Sequence, residues 1–483
     1  MNLHEGSPLE RFRKVMSQNL WGVELDQDLY EEAISEIEGE FGELPKDHNL
    51  ANADFFATEF LSCFFDVVVG NPPYGGTFDP VIEDSLDRLY GRWDGLKLKK
   101  ETYSFFTARS LDWLVDGGVL AFIISDTMLT IKTMAGLRKR LMDTTSPVVF
   151  QLDEFSEETS QPTLVLTATK TVGGSGQVVR NGRVISRELV ELTGNLSWSI
   201  DPDLAHYFKG PTLGDFIVCT SGMTIGNNEL FVREVENGVV LEPYDFEFVD
   251  EPITLDRELE RARLNKISPR QRAKIKELES QGATRRNVVA VVRPEVKTIS
   301  LPHPDYRFYN KADAAIVYGP PKWAVYWRDN GDAVITFKKN GKWYLHGVGG
   351  KPYFEREGLT WHLVASRLKM RYLPSGYIFD SGAPCAFLRD GVDEDELWFI
   401  LGWCLTDEAT RILKTVINHT RNIQSKDVER LPYPWWVDNQ RKLTAIKVTK
   451  ALVEDAMTGR RFDHRDPEIL DLAKLYSAHE VHV

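Results

Sequence analysis

FDVVVGNPPY, residues 65–74, gathers Phe65, Val67, Val68 and Val69 into six residues and then stops at two prolines. The run reads as a β-strand, and Pro72-Pro73 as the rigid turn that ends it, because each proline locks φ and lacks an N–H. On either side, strand-like and helix-like segments alternate. WGVELD (21–26) reads as a short strand and DLYEEAISEIEGEF (28–41) as an amphipathic helix. SFFTARSLDWLV (104–115) has helical spacing, GGVLAFIIS (117–125) is a turn leading into a buried strand, and MAGLRKRLMD (134–143) is a further helix. VVFQLDEF (148–155) and PTLVLTATK (162–170) read as strands closing the layer as a hairpin. This alternation predicts an α/β layer with helices packed on a sheet over residues 1–175. GGSG (173–176) lies between two strands, not between a strand and a helix, so it reads as a hairpin tip and not as a phosphate loop.

The turn explains the prolines but not the residues that flank them. Asn71 puts a carboxamide, and Tyr74 an aromatic ring, at the C-terminal end of a strand, where α/β sheets bind ligands. An aromatic amine accounts for both. The exocyclic nitrogen of adenine shares its lone pair with the ring and is a poor nucleophile. If the Asn71 side-chain oxygen and the Pro72 carbonyl each accept one N–H, the nitrogen is drawn toward tetrahedral geometry and its lone pair turns outward. Tyr74 supplies a face for the base once it has left the duplex. No general base is required before attack, since the proton becomes acidic only after transfer.

At these residues the chain resembles the gamma class of DNA adenine-N6 methyltransferases, whose S-adenosylmethionine-dependent domain is Rossmann-like and whose catalytic motif is NPPY. The resemblance assigns Asn71, Pro72, Pro73 and Tyr74 to that motif. It also implies that Glu24, in Gly22-Val23-Glu24-Leu25-Asp26, binds the cofactor ribose, and that Asp54 and Phe55, in Ala53-Asp54-Phe55, hold the cofactor adenine. Asn71 would border the cofactor as well. Asp116-Gly117-Gly118 resembles the family's "PGG" turn, and Phe155 its second base-stacking aromatic. Each supporting piece has a plainer reading: an acidic strand end as a helix cap, ADF as a strand exit, Phe155 as core. NPPY also serves protein-glutamine methyltransferases, but those are compact and carry no long aromatic-rich C-terminal half.

The resemblance runs on through that half. GMTIGNNELFVR (222–233) looks like the opening of target-recognition regions in type IIG and phage-exclusion (BREX-like) methylases. FEREGLTW (354–361), YLPSGYIFDSGAP (372–384) and TRNIQSKDVERLPYP (420–434) resemble their later blocks. It implies a mixed α+β DNA-recognition domain at 206–436, with Asn227, Asn228, Arg233, Arg421 and Gln424 as DNA contacts, and a C-terminal helical segment at 437–483. Surface and turn roles remain open for each of the five.

One family motif does not appear. The strand and Gly-rich loop that receive the methionine part of the cofactor belong roughly 20 residues before the acidic strand end, where only Glu5-Gly6-Ser7 stands. The fold expected is therefore an incomplete Rossmann-like sheet with an open strand edge. Three readings follow. A partner subunit supplies the loop, making a split enzyme; the chain is an inert DNA-specificity subunit with a vestigial pocket; or its N-terminus has been trimmed. The first is preferred, because Glu24, Asp54 and NPPY would be odd leftovers in a binder.

Composition bounds these readings. Of 483 residues 42% are hydrophobic and 27% charged, as in a globular chain, and Cys63, Cys219, Cys385 and Cys404 show no metal-ligand spacing. With no membrane-length apolar run and no apolar signal core, a cytoplasmic location is expected. The net charge of −14 is unevenly placed. Residues 1–165 hold 29 Asp and Glu against 14 Lys and Arg, while the remainder holds 43 against 44. Residues 257–297 alone hold 12 basic and 5 acidic residues, and their first part should be helical. An acidic total therefore does not exclude double-stranded DNA as a partner.

Overall fold

Apolar residues three and four apart give the first part of the chain its helices, and runs of β-branched residues give its strands. The structure, a computed structural model, describes residues 6–57, 64–75, 78, 80–152, 162–255, 269–336 and 350–478. The chain forms two compact units, one of residues 1–128 and 133–184, the other of 129–132 and 185–483.

The first unit begins with α1 (Pro8–Gln18), started by a capping box in which Ser7 and Glu10 bond reciprocally. Then come β1 (Trp21–Glu24), α2 (Gln27–Phe41, capped by Asp26), β2 (Asn49–Asn52) and β3 (Phe65–Gly70). Helix α3 (Pro80–Tyr90) and a small hairpin, β4 (Arg92–Trp93) with β5 (Leu96–Lys97), lead to α4 (Thr102–Trp113) and β6 (Leu114–Ser125). Helix α5 (Ala135–Thr144), β7 (Thr145–Leu152), β8 (Thr163–Lys170), β9 (Gln177–Arg180) and β10 (Arg183–Ser186) follow. The main sheet has the order β10-β9-β7-β8-β6-β3. Strand β3 runs parallel to β6, and β8 is antiparallel to both β6 and β7. The β7–β8 hairpin is as expected, and β8 inserts between β7 and β6. Phe105, Ala108 and Leu111 of α4, and Leu120 and Ile124 of β6, are buried in the core.

Two features of this sheet position the site. Between the pairs Phe65↔Leu114 and Val67↔Val119, β3 advances two residues and β6 five. The excess is taken up around Gly117, whose φ is +84°, and Gly118, where a Cβ would lie 2.9 Å from the Phe65 carbonyl oxygen. The expected turn is thus a bulge inside one long strand. The second feature is the outer edge of β3. Val67 and Val69 are 60% and 77% exposed, although a compact apolar run ordinarily marks a buried strand. Among the described residues β3 pairs only with β6, while β1 and β2 pair in parallel with each other as a separate ribbon. Trp21 at the start of β1 meets Phe65 at the start of β3 edge to face, with centroids 6.1 Å apart.

The second unit carries α6 (Arg187–Leu192) and two larger sheets. One has the order β11-β21-β18-β19-β16, from β11 (Ile217–Thr220), β16 (Val317–Tyr318), β18 (Gly358–Thr360), β19 (Arg371–Leu373) and β21 (Cys385–Leu388). The other has the order β12-β17-β15-β20, from β12 (Val232–Glu234), β15 (Tyr306–Asn310), β17 (Trp323–Tyr326) and β20 (Tyr377–Phe379). A long antiparallel ribbon joins β13 (Val239–Pro252) to β14 (Thr284–Ser300). Helix α7 (Asn228–Phe231) precedes β12, and α8 (Pro269–Ser280) forms part of the helix expected in the basic segment. Helices α9 (Asp395–Cys404), α10 (Asp407–Ile412), α11 (Ser425–Glu429), α12 (Asn439–Met457) and α13 (Pro467–Lys474) complete the unit, with α12 and α13 packed on α9. No helix among the described residues is long and apolar enough to cross a membrane.

Candidate active site

Parallel strands β3 and β6 end side by side, so the turn after Gly70 lies against the last residues of β6. Asn71 and Pro73 are exposed there, Pro72 is buried and Tyr74 is half-buried. The Tyr74 hydroxyl lies 2.9 Å from the Ile123 carbonyl oxygen and 3.1 Å from Oδ1 of Asn71, and its single proton can serve either acceptor. Burial holds its pKa above the ordinary phenol value, which keeps it a neutral donor. Its ring meets Tyr103 edge to face at 6.1 Å. Tyr103 in turn bonds Thr127 at 3.3 Å, and Thr127 bonds Ser125 at 2.9 Å. Asn71 thus has its carbonyl side anchored while the carboxamide faces solvent. Sequence reading missed Tyr103, Ser125 and Thr127; the available signal was the hydroxyl-rich end of GGVLAFIISDT (117–127).

Glu24 stands half-exposed at the C-terminal end of β1, its Oε1 accepting the Asp26 N–H at 2.9 Å. The side-chain amide of Asn52, at the matching end of β2, donates to the Glu24 carbonyl at 3.0 Å and ties the two strand ends together. Asp54 lies two residues beyond, with Oδ1 accepting the Phe56 N–H at 2.8 Å. A half-exposed carboxylate at a parallel strand's end suits a ribose diol, so this donor set fits the nucleoside end of S-adenosylmethionine. Phe55 is stacked on Phe106 of α4 at 4.1 Å and touches Trp113 at 4.9 Å, so one ring face is already used by its own chain. Phe155 lies outside the described residues. Among the described residues no group of His, Cys, Asp and Glu is arranged to hold a metal ion.

In the second unit the five DNA-contact candidates separate. Asn228 is exposed, and Asn227 caps α7 by accepting the Leu230 N–H at 3.3 Å. Arg421 and Gln424 are exposed on a loop held by its backbone: Ala365 N–H donates to the Arg421 carbonyl at 2.9 Å, and Trp361 Nε1 to the Ile423 carbonyl at 2.9 Å. Lys414, in the π-helical turn Leu413–Ile417, donates to the Thr420 carbonyl at 2.6 Å beneath that loop. Arg233 corrects the expectation. It is 7% exposed, and its guanidinium donates to the Glu242 carboxylate at 2.7 Å and to the carbonyls of Glu229, Leu230 and Val232. Tyr306 also donates to Glu242. An isolated buried charge is so costly that this cation belongs to the fold and not to a DNA surface.

Comparison with known proteins finds relatives of the first unit in sequence and of the whole chain in fold. Residues 9–156, just under a third of the chain, match the family described as "Eco57I restriction-modification methylase". Adenine-specific methyltransferase PglX of Lacticaseibacillus casei (strain Zhang) is 27% identical over 152 residues, 31% of this chain and 12% of that protein. Adenine-specific methyltransferase BrxX of Escherichia coli O9:H4 (strain HS) is 27% identical over 110 residues, 22% of this chain and 9% of that protein. The matched stretches therefore span about an eighth or less of those relatives. In fold, the chain is similar over 95% of its length to 62% of the type IIL restriction-modification enzyme MmeI, solved in complex with DNA (TM-score 0.54, 10% identity). Over 92% of its length it is similar to 35% of the type ISP enzyme LlaBIII, solved bound to DNA (TM-score 0.50, 12% identity).

Proposed function

We propose, with the restriction-modification methylase domain at residues 9–156 as the premise, that this chain is the catalytic and target-recognition part of a DNA adenine-N6 methyltransferase serving restriction–modification or phage defence. The observation that carries the proposal is the exposed Asn71 carboxamide at the end of β3, held by Tyr74. A carbonyl oxygen has two lone pairs, so Oδ1 can accept from Tyr74 and still accept one N–H of a flipped adenine. The Pro72 carbonyl takes the other N–H. The base lies on the Tyr74 ring, with Phe155 as the opposing face, and Pro73 fixes the turn. S-adenosylmethionine supplies the methyl group when bound. Glu24 holds its ribose hydroxyls, Asp54 and Phe55 its adenine, and Asn71 borders the reacting end. The second unit reads double-stranded DNA, with Asn228, Arg421 and Gln424 at its surface.

The cofactor's methionine end calls for Gly-rich backbone following a parallel strand. We assign that strand to the open edge of β3, beside the separate β1–β2 ribbon, and propose that a second methyltransferase subunit supplies it. An added strand would pair the free N–H and C=O groups along the β3 edge, and its crossover helix would cover Val67 and Val69, which share one face. The deciding experiment measures methyl transfer to DNA by this chain with and without the completing polypeptide, for wild type and Asn71→Ala. Transfer that needs the second polypeptide and is lost in Asn71→Ala supports the reading. Robust transfer by the chain alone refutes the second subunit, and no transfer in any pairing leaves a DNA-specificity subunit.

A further inference from the structure

Between the two sheets of the second unit lies a cleft of about 400 Å³, within the usual range for ligand sites. It forms where the chain leaves β15, crosses to β16 and returns to β17, so residues 311–314 and 319–322 make its rim. Its lining includes Lys311, Lys322 and Arg371 but only one carboxylate, Asp313.

Arg371 makes up the floor and is 2% exposed. Its guanidinium donates to the Asp313 carbonyl at 3.2 Å, to Asn310 Oδ1 at 2.9 Å and to the Lys311 carbonyl at 2.9 Å, all neutral acceptors. The Asp313 carboxylate is turned to Lys322, at 2.7 Å. Among the described residues the carboxylate whose charge acts on Arg371 is that of Asp313, shared with Lys322, so a single anion stands against three cations in and beneath the cleft. Burial lowers the pKa of Arg371 while the Asp313 charge raises it, and His362 is pushed down by burial and then by Arg371 and Lys369. Lys311 Nζ stands 5.2 Å from the centroid of the Trp323 ring, which places a cation beside a partly exposed aromatic face. Cations at the rim, a buried cation beneath and an aromatic wall are the elements that hold a phosphate and the base attached to it.

The geometry points to this cleft as a binding site for one phosphate-bearing nucleotide unit, with the phosphate at Lys311 and Lys322 over Arg371 and the base against Trp323. It rests on the reading of the second unit as the DNA-binding part, so the unit comes from a DNA strand or from a free nucleotide. The test uses the full chain, with Lys311→Ala and Lys322→Ala compared with wild type and with the exposed Lys447→Ala on α12, all checked by circular dichroism. Affinity for a labelled DNA duplex is measured against salt, and dAMP is titrated calorimetrically. A DNA strand in the cleft lowers the slope of log affinity on log salt by about 0.9 for each lost phosphate contact in the two cleft variants but not in Lys447→Ala. A free nucleotide gives dAMP binding that both cleft variants lose, with unchanged DNA slopes. Equal slopes and no dAMP binding in wild type overturn the proposal. Asn71→Ala keeps the wild-type slope whether or not it transfers methyl groups, so failure here is distinguishable from failure of the catalytic reading.

Discussion

The hydroxyl of Tyr74 lies 3.1 Å from the side-chain oxygen of Asn71, four residues after the strand end that carries both. The aromatic ring that would receive a base therefore also orients the amide that would receive the base's amine. One neutral hydrogen bond of this kind contributes about 0.5–1.5 kcal/mol.

Tyr74→Phe keeps the ring and removes that bond. Single-turnover methyl transfer is expected to slow by about two- to tenfold, with little change in DNA affinity. Tyr74→Ala removes the ring as well and should cost roughly a further 1–3 kcal/mol of base stacking. A fluorescent base analogue at the target position would report that loss directly. If Tyr74→Phe transfers at the wild-type rate, the hydroxyl does not orient Asn71.

Arg233 and Glu242 form a buried pair, so replacing one partner strands the other. Arg233→Ala should destabilise the second unit by about 3–5 kcal/mol, whereas Arg233→Met with Glu242→Leu should recover most of that. Urea unfolding of the three proteins decides the matter. A single mutant as stable as wild type would show the charges to be solvated.

The open edge of β3 gives a third expectation. Val69→Lys changes a side chain that is 77% exposed, so the isolated chain should keep its stability within about 0.5 kcal/mol. In a completed sheet the same position is covered, and methyl transfer with the second subunit should fall by at least about tenfold. Equal transfer by the two proteins would place the added strand elsewhere.

Lys414 titrates low, at about 8 against the ordinary 10.5, because burial disfavours its charge while Asp427 partly offsets this. The unfolded chain binds more protons than the folded one between those values. Stability should therefore rise with pH from about 8 to 10.5 and be lost again on the way down. Lys414→Met should flatten that rise relative to wild type in thermal melts across the window. Parallel pH curves for the two proteins would contradict it.

Strands β1, β3, β6, β7 and β8 and helices α2, α4 and α5 of the first unit were legible because each is a local pattern. By contrast, β2, α3, β4, β5, β9 and β10 are too short or too polar to announce themselves. Tyr103 and Thr127 were not legible. They reach the site through the parallel pairing of β3 with β6, which no local pattern records. Arg233 misled for a related reason. Beside an Asn-rich turn it reads as a surface cation, and only Glu242, nine residues on and in another strand, reveals it as buried. The valines of β3 stand exposed although an apolar run ordinarily marks a core strand, because composition reports what a side chain prefers, not whether a neighbour has come to cover it.

The Gly117–Gly118 bulge has a consequence for length. Side chains alternate along a strand, so the odd excess of β6 over β3 at this point fixes which face every later residue of β6 shows. Deleting one residue from the Asp116–Gly118 turn would rotate Ile124 out of the core and swing the Ile123 carbonyl away from Tyr74. A glycine turn between a helix and a strand is ordinarily where a chain tolerates gain or loss of a residue. Here it works as a spacer cut to size, and the distance that matters to the reacting end is set nearly a strand's length away from it.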